Sequence, residues 1–226
     1  MINNGLHAKA QPFVAQGKRT IGAARDFLGL SRNSKMPSYT LAIPAREACP
    51  RGGVLATIKG TVCYGCYAAK GLDALPTAAR AKQVRWDTIQ TCLASPTLRE
   101  LWLEAFEVAM RKEEYFRWHS AGDLFSAEYA ELVAEACKRT PWVKHWIPTR
   151  EKRYYSHFEW LNNVVFRVSD DMIDQQTNKH TGHTSGVHTA QPARGIECAS
   201  YDNDGKCGDC RACWDPNVDH VSYRVH

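Results

Sequence analysis

The chain has 226 residues, 44% hydrophobic and 23% charged, with 15 glycines and 10 prolines. That composition fits one compact globular domain and argues against disorder, collagen-like repetition and a solenoid. No stretch comes near the ~18 uninterrupted apolar residues of a membrane span, because the most apolar window, Leu101 to Met110, is broken by Glu104 and Glu107. A formal charge of +5 permits a polyanionic partner without requiring one.

Residues 1–37 are polar and basic, with Lys9, Lys18, Arg19 and Arg25 ahead of the first acidic residue, Asp26. The segment lacks the serine enrichment of a transit peptide, and Ile21 to Leu30 reads as a short packed helix. Ser38 to Ile43 alternates like a strand closed by Pro44, and a Gly/Pro-bearing loop, Ala45 to Gly60, follows. Pro76 opens a helix through Leu93. Ser95 then caps a second, with Pro96 at its first position and Leu98, Leu101, Trp102, Ala105 and Ala109 on one face.

From Glu114 onward strands and helices alternate. Tyr115 to Ser120 reads as strand, Ala127 to Arg139 as a helix capped by Ser126, and Trp142 to Pro148 as strand. Lys152 to Leu161 reads as helix, Val164 to Ser169, Gly195 to Cys198 and Val218 to Val225 as strands. Residues 175–191, rich in Thr, His and Gly, are expected to be a loop. Alternation of this kind implies right-handed βαβ units. The expected fold is therefore a single α/β domain over residues 1–226, with an α-rich N-terminal half and a parallel sheet that is either open or a partial TIM-like barrel.

Nine cysteines fall into two groups and two single positions. An odd count with tight x2 spacings does not suit a secreted disulfide scaffold, and a bound metal in a reducing cytosol fits better. Cys207, Cys210 and Cys213, with Cys198 upstream, supply four thiolates. The x2, x2 spacing lets one loop present sulfur to three corners of a 4Fe–4S cluster, and Gly205 and Gly208 let backbone amides approach the sulfides. Zinc, which usually takes cysteines in pairs from two knuckles, is the alternative metal. Cys49, Cys63 and Cys66 form a trio that leaves one iron of a cluster open to a substrate or to S-adenosylmethionine. The x13 then x2 spacing, with Tyr64 one place early, departs from the usual radical-SAM pattern. The trio either holds a second cluster or completes the first site. Cys92 and Cys137 lie on amphipathic helices and read as core.

Several motifs together carry a family resemblance. They are Asn33-Ser34-Lys35-Met36-Pro37, Cys49-Pro50, Cys63-x2-Cys66-Tyr67-Ala68, the run Phe116 to Asp123, Thr149-Arg150, and the ending Cys207-x2-Cys210-x2-Cys213-Trp214 with Tyr223 and His226. In this order, over residues 33–226, the chain resembles the gene product 88 family of bacteriophage proteins. The resemblance implies a phage protein acting in the cytoplasm of the bacterial host. Phage families with Cys-Tyr-Ala motifs look like radical-SAM relatives, which extends the analogy.

Ligands of parallel α/β proteins gather at the carboxyl ends of strands. His119, Ser120, Gly122 and Asp123 end one strand, Thr149 and Arg150 the next, and Ser169, Asp170 and Asp171 a third. These residues are candidates to hold a ligand, hydrogen-bond cluster sulfides or move a proton; for Ser120 to Asp123 a helix-entry turn capped by the aspartate is the competing account. The basic, aromatic stretch Lys138 to Trp160 admits nucleic acid as a partner, but its Trp142, Lys144, Trp146 alternation favours a barrel wall. His180, His183 and His188 in the polar loop and the terminal His226 are minor metal candidates. The functional expectation is a 4Fe–4S protein in redox chemistry or sensing, working with a small molecule or a redox partner and no membrane. A radical-SAM-like enzyme and a zinc module for nucleic acid or a host protein are the alternatives.

Overall fold

A computed structural model describes residues 6–176, 182–189 and 192–225. Its strands are β1 (Ser31–Arg32), β2 (Tyr39–Ala42), β3 (Tyr115–Ala121), β4 (Lys144–Thr149), β5 (Val164–Ile173), β6 (Thr184–His188), β7 (Ile196–Glu197) and β8 (His220–Arg224). Its α-helices are α1 (Gln11–Val14), α2 (Ile21–Leu28), α3 (Pro50–Leu55), α4 (Pro76–Leu93), α5 (Pro96–Met110) and α6 (Ala127–Arg139). The strands form one sheet in the order β1-β2-β3-β4-β5-β6-β8-β7. Among the described strands only β1 and β2 pair antiparallel, with one further antiparallel bridge from Thr61 to Met172 of β5.

Parallel strands β2 to β6 therefore step across the sheet in chain order. Right-handed crossovers put their helices on one face under that order, the layout of a partial barrel. The face bearing Phe116, Trp118, Ile147, Phe166 and Val168 is buried with Phe27 of α2, Trp102 and Phe106 of α5, and Leu132 and Val133 of α6 in one core. Local chemistry sets the helix ends. The hydroxyls of Thr20, Ser95 and Ser126 accept from the N–H groups of Ala23, Leu98 and Tyr129 at the starts of α2, α5 and α6, satisfying donors that have no partner within the helix. Gly29, at φ +65°, ends α2 in the left-handed conformation.

Three expectations are corrected. Residues 175–191 are not all loop: Thr184–His188 is a strand, hydrogen-bonded between β5 and β8. Its polar residues suit that place because Ser185 meets Ser169 across the ladder (Oγ to Oγ 3.1 Å) and Gly186 leaves room for buried polar groups on the opposite side. Lys152–His157 is a 3-10 turn, not an α-helix to Leu161. The strand expected from Trp142 begins at Lys144, and the Trp142 indole donates to the Met110 carbonyl instead. Strict helix–strand alternation also ends after β5, with no α-helix between β5 and β8 among the described residues.

Candidate functional site

The loop after β2 carries the first cysteine group across the carboxyl ends of the strands. From α3 it reaches β5, where the Val62 N–H donates to the Asp171 carbonyl and the Ile173 N–H to that of Gly60. Cys49, Cys63 and Cys66 therefore sit above the ends of β3, β4 and β5. Cys63 and Cys66 are closed into a turn by a 3.2 Å bond from the Cys66 N–H to the Cys63 carbonyl. Gly52 keeps space between two of the thiols, since a Cβ there would lie 3.5 Å from the Cys63 sulfur and 3.0 Å from the Cys49 Cβ.

Asp123 fixes the floor beneath this loop. Its backbone N–H donates to the Ala48 carbonyl, next to Cys49, at 2.9 Å. Its carboxylate accepts from the Leu124 N–H, the Thr149 hydroxyl and the Arg150 N–H, so it is a capping and clamping group that joins β3 to β4. The backbone leading to it is unusual: His119 has φ +50° and Gly122 φ +84°, and a Cβ on Gly122 would collide with Ile43. His119 is turned away from the thiols, its Nε2 2.9 Å from the Tyr129 hydroxyl. Ser120 contributes its carbonyl, which accepts from Tyr67 at 2.7 Å.

The ends of β3 and β4 thus converge under the trio, joined by Arg150, whose positive charge lowers the Cys63 pKa against the larger effect of burial. The side chains of Ser169 and Asp170 turn toward β6, while the Asp170 carbonyl accepts from Arg150 Nη2 at 3.2 Å. Asp170 is buried and paired with Arg194 at 2.5 Å, and Gly186 is bare because a Cβ would stand 3.0 Å from both partners. A cavity of about 200 Å³ beside that pair is lined by Asp174, His188, Arg194 and Ser222 among others.

The second cysteine group lies on the sheet face opposite the helices. Trp214 packs edge-on against Tyr115 and Trp146 at 5.5 and 5.2 Å and donates from Nε1 to the Phe116 carbonyl at 3.0 Å. This pins Cys213 beneath the strands. Cys207 and Cys210 are closed into the same turn as the first pair, by a 3.0 Å bond from the Cys210 N–H to the Cys207 carbonyl. The Cys207 N–H is held by the Lys35 carbonyl at 2.8 Å. The Cys213 sulfur is 3.3 Å from the Tyr223 hydroxyl and that of Cys198 is 3.1 Å from Ser200 Oγ.

Two arginines point from the sheet into this region. Arg167 of β5 is fully buried and donates to the carbonyls of Thr184, Ala212, Val218 and Asp219. Arg117 of β3 lies 4.6 Å over the Trp146 ring and reaches Met36 Sδ and the Tyr67 hydroxyl, each at 3.4 Å. Among the described residues neither forms an ion pair with a carboxylate. Burial tends to lower the Arg117 pKa, but Tyr67, Tyr223 and Cys213 prevail and raise it.

Burial raises the cysteines too. Cys49 and Cys213 are pushed up to about 12 and Cys207 is raised, in each case mainly by desolvation. Neighbouring thiols add to this: Cys63 and Cys66 act on Cys49, and Cys198 and Cys210 on Cys207. Among the described residues no group of three or more His, Cys, Asp and Glu side chains stands ready to hold a metal ion.

Cys92 and Cys137 are fully buried in the core. His183 bonds the Pro216 carbonyl and His188 faces Glu197; His180 and His226 lie outside the described residues. In the basic, aromatic stretch, Trp146 faces inward and Arg139 is paired with Glu100 and Glu135. Sequence reasoning names Arg117 and Tyr223 only as motif residues, without a role, and passes over Arg167. The signal for the two arginines is their alternating position inside an otherwise apolar strand, where a charged residue must find a negative or polar partner once the strand is buried.

The gene product 88 family model matches residues 6–216, which take in both cysteine groups. The chain belongs to the gene product 88 family. No curated protein and no solved structure matches it. For this gene product 88 protein, no helix among the described residues is long and apolar enough to cross a membrane.

Proposed function

We propose that this gene product 88 protein is an iron–sulfur protein of redox chemistry or sensing. Cys198, Cys207, Cys210 and Cys213 hold a 4Fe–4S cluster, and Cys49, Cys63 and Cys66 hold a second. The observation that carries this reading is Arg117, a desolvated guanidinium that acts on Cys207 and Cys213 and has no carboxylate partner among the described residues. A desolvated guanidinium costs several kcal/mol unless an anion faces it. Neutral thiols do not supply that anion, whereas metal-bound thiolates would, which supports an anionic metal–thiolate group beside Arg117. Iron is favoured over zinc by three cysteines at x2 spacing on one loop. A bound cluster supplies one-electron chemistry; the chain's own part is to wrap it, exclude water with Trp214 and Trp146, and balance its charge.

A second reading is favoured by the place of the trio. Three thiols on the loop after the first parallel strand, over polar strand ends, suit a cluster with one open iron, as in a radical-SAM-like enzyme. Addition of S-adenosylmethionine to the reduced protein then perturbs the cluster's magnetic-resonance spectrum.

Anaerobic purification followed by iron, sulfide and zinc analysis tests the proposal. The reading expects iron and acid-labile sulfide, lost when Cys207, Cys210 or Cys213 is changed to Ala. A colourless zinc protein with salt-dependent DNA affinity would instead favour a zinc module for nucleic acid.

A further inference from the structure

Among the described residues no α-helix follows β5, so the sheet face that packs on helices at β3 to β5 is left to polar side chains at β6 and β8. Gly186 of β6 stands opposite Ser222 of β8, and His188 opposite Arg224. Arg194 is built onto this face. The Ser222 hydroxyl accepts from its N–H at 2.8 Å and donates to its carbonyl at 2.6 Å, and its Nη2 pairs with buried Asp170 at 2.5 Å. Among the described residues the Arg194 Nε and Nη1 have no hydrogen-bond partner. Arg194 lines the cavity of about 200 Å³ at the carboxyl ends of β5 and β6, where open α/β sheets hold their ligands. Asp174, the residue after β5, lines it as well, and its carboxylate accepts from the Thr189 N–H at 2.6 Å and from the Thr189 hydroxyl. The other charges nearby offset one another: His188 Nε2 is 3.2 Å from Glu197, which Arg224 also meets at 2.7 Å.

Independently of the cysteines and of any metal, we infer that this cavity binds a small zwitterion, a free α-amino acid, with its carboxylate on Arg194 and its ammonium group on Asp174. The two lining charges are of opposite sign and each is fixed from behind, Arg194 by Asp170 and Ser222, Asp174 by Thr189, so neither has to be ordered when a ligand arrives. A lone anion drawn to Arg194 meets the carboxylates of Asp170 and Asp174. A lone cation drawn to Asp174 meets Arg194. Only a ligand carrying both signs finds a partner for each, which is selection by repulsion as much as by attraction. Gly186 keeps the wall open, since a Cβ there would stand 3.0 Å from Arg194 Nη2 and from Asp170 Oδ2. The volume equals that of about six waters and lies below the range of drug-sized pockets, which suits a molecule as small as an amino acid.

The test is titration calorimetry of the full chain with glycine, L-alanine, L-serine and L-glutamine, beside acetate and methylamine, which carry one charge each. At least one of the amino acids should bind with a stoichiometry of one, and neither single-charge probe should match it. Removing one charge from that amino acid, as its methyl ester or its N-acetyl derivative, should weaken binding about tenfold or more, the effect of losing a hydrogen bond between charged groups. Asp174→Asn, which keeps the side chain's shape and tolerates the positive φ of that position, should do the same. Arg194→Lys, which leaves Asp170 a cation but loses the planar fork, should also weaken binding. Should Arg194→Lys not fold, Asp174→Asn and the ester decide. No heat of binding from any of these amino acids at millimolar concentration overturns the inference. So does acetate binding as tightly as the amino acid, or unchanged affinity in Asp174→Asn. Iron content does not enter any of these outcomes, so the inference and the iron–sulfur reading stand or fall separately.

Discussion

The indole of Trp118 donates from Nε1 to Nδ1 of His145 at 3.3 Å, which leaves the imidazole proton on Nε2, 2.9 Å from the Thr140 hydroxyl. That hydroxyl donates onward to the Ala136 carbonyl at 2.8 Å, so the buried histidine is satisfied only when neutral. Burial depresses His145 to about 3, and His119 likewise. Both folded values lie below the ordinary 6.5, so the stability they contribute is complete above pH 6.5 and is lost as pH falls toward 3. Urea midpoints measured from pH 7 to 4 should fall steadily, with a shallower slope in His145→Gln; equal slopes would refute the assignment.

Asp123 works in the opposite sense. Burial pushes its carboxyl up to about 6, despite bonds from the Arg150 N–H, the Thr149 hydroxyl and the Leu124 N–H. A raised folded value means a contribution present below about pH 4 and lost as pH rises through 6. Asp123→Asn should therefore remove this component between pH 4 and 6. Asp123→Ala, which leaves two backbone donors and a hydroxyl unpaired, should cost about 2–4 kcal/mol and loosen the Cys49 loop, read as lower iron content.

Gly122 and Gly17 make a matched pair. Both have positive φ, but a Cβ on Gly122 collides with Ile43 whereas none of the atoms around Gly17 lies within 4 Å of one. Gly17→Ala should cost about 1 kcal/mol from backbone conformation alone. Gly122→Ala should cost several times that, measured as the difference in chemical unfolding midpoints. Similar costs for the two would remove the steric reason for glycine at the end of β3.

Much of this fold is legible because local chemistry and burial agree. Pro76 to Leu93, Pro96 onward and Ala127 to Arg139 carry a proline or a serine cap at their starts, the latter two add an apolar stripe along their lengths, and each forms where expected. Thr184–His188 escapes notice because its strand character comes from the neighbours β5 and β8, not from its own side chains. The cysteine spacings are legible for the same reason as the caps, since each x2 pair makes one local turn. The partners of those cysteines are not, because Arg117, Tyr223 and Asp123 come from strands remote in sequence, and only the sheet register brings them near.

Core and candidate ligand cysteines should separate cleanly. Cys92→Ala and Cys137→Ala should each lose about 1–2 kcal/mol of packing and keep full metal content, because both sulfurs are enclosed by apolar side chains. Loading with metal should release protons, since burial holds Cys49, Cys207 and Cys213 as thiols in the free chain. Affinity should rise with pH, as followed by metal titration in a weakly buffered solution.

The most direct measurement is iron, sulfide and zinc content, with an absorption spectrum, of the folded full-length chain isolated without oxygen. A brown protein bearing iron and labile sulfide, depleted by Cys207→Ala, Cys210→Ala or Cys213→Ala, is the predicted result. A folded, colourless chain free of iron would contradict it, leaving Arg117 facing thiols for some other reason.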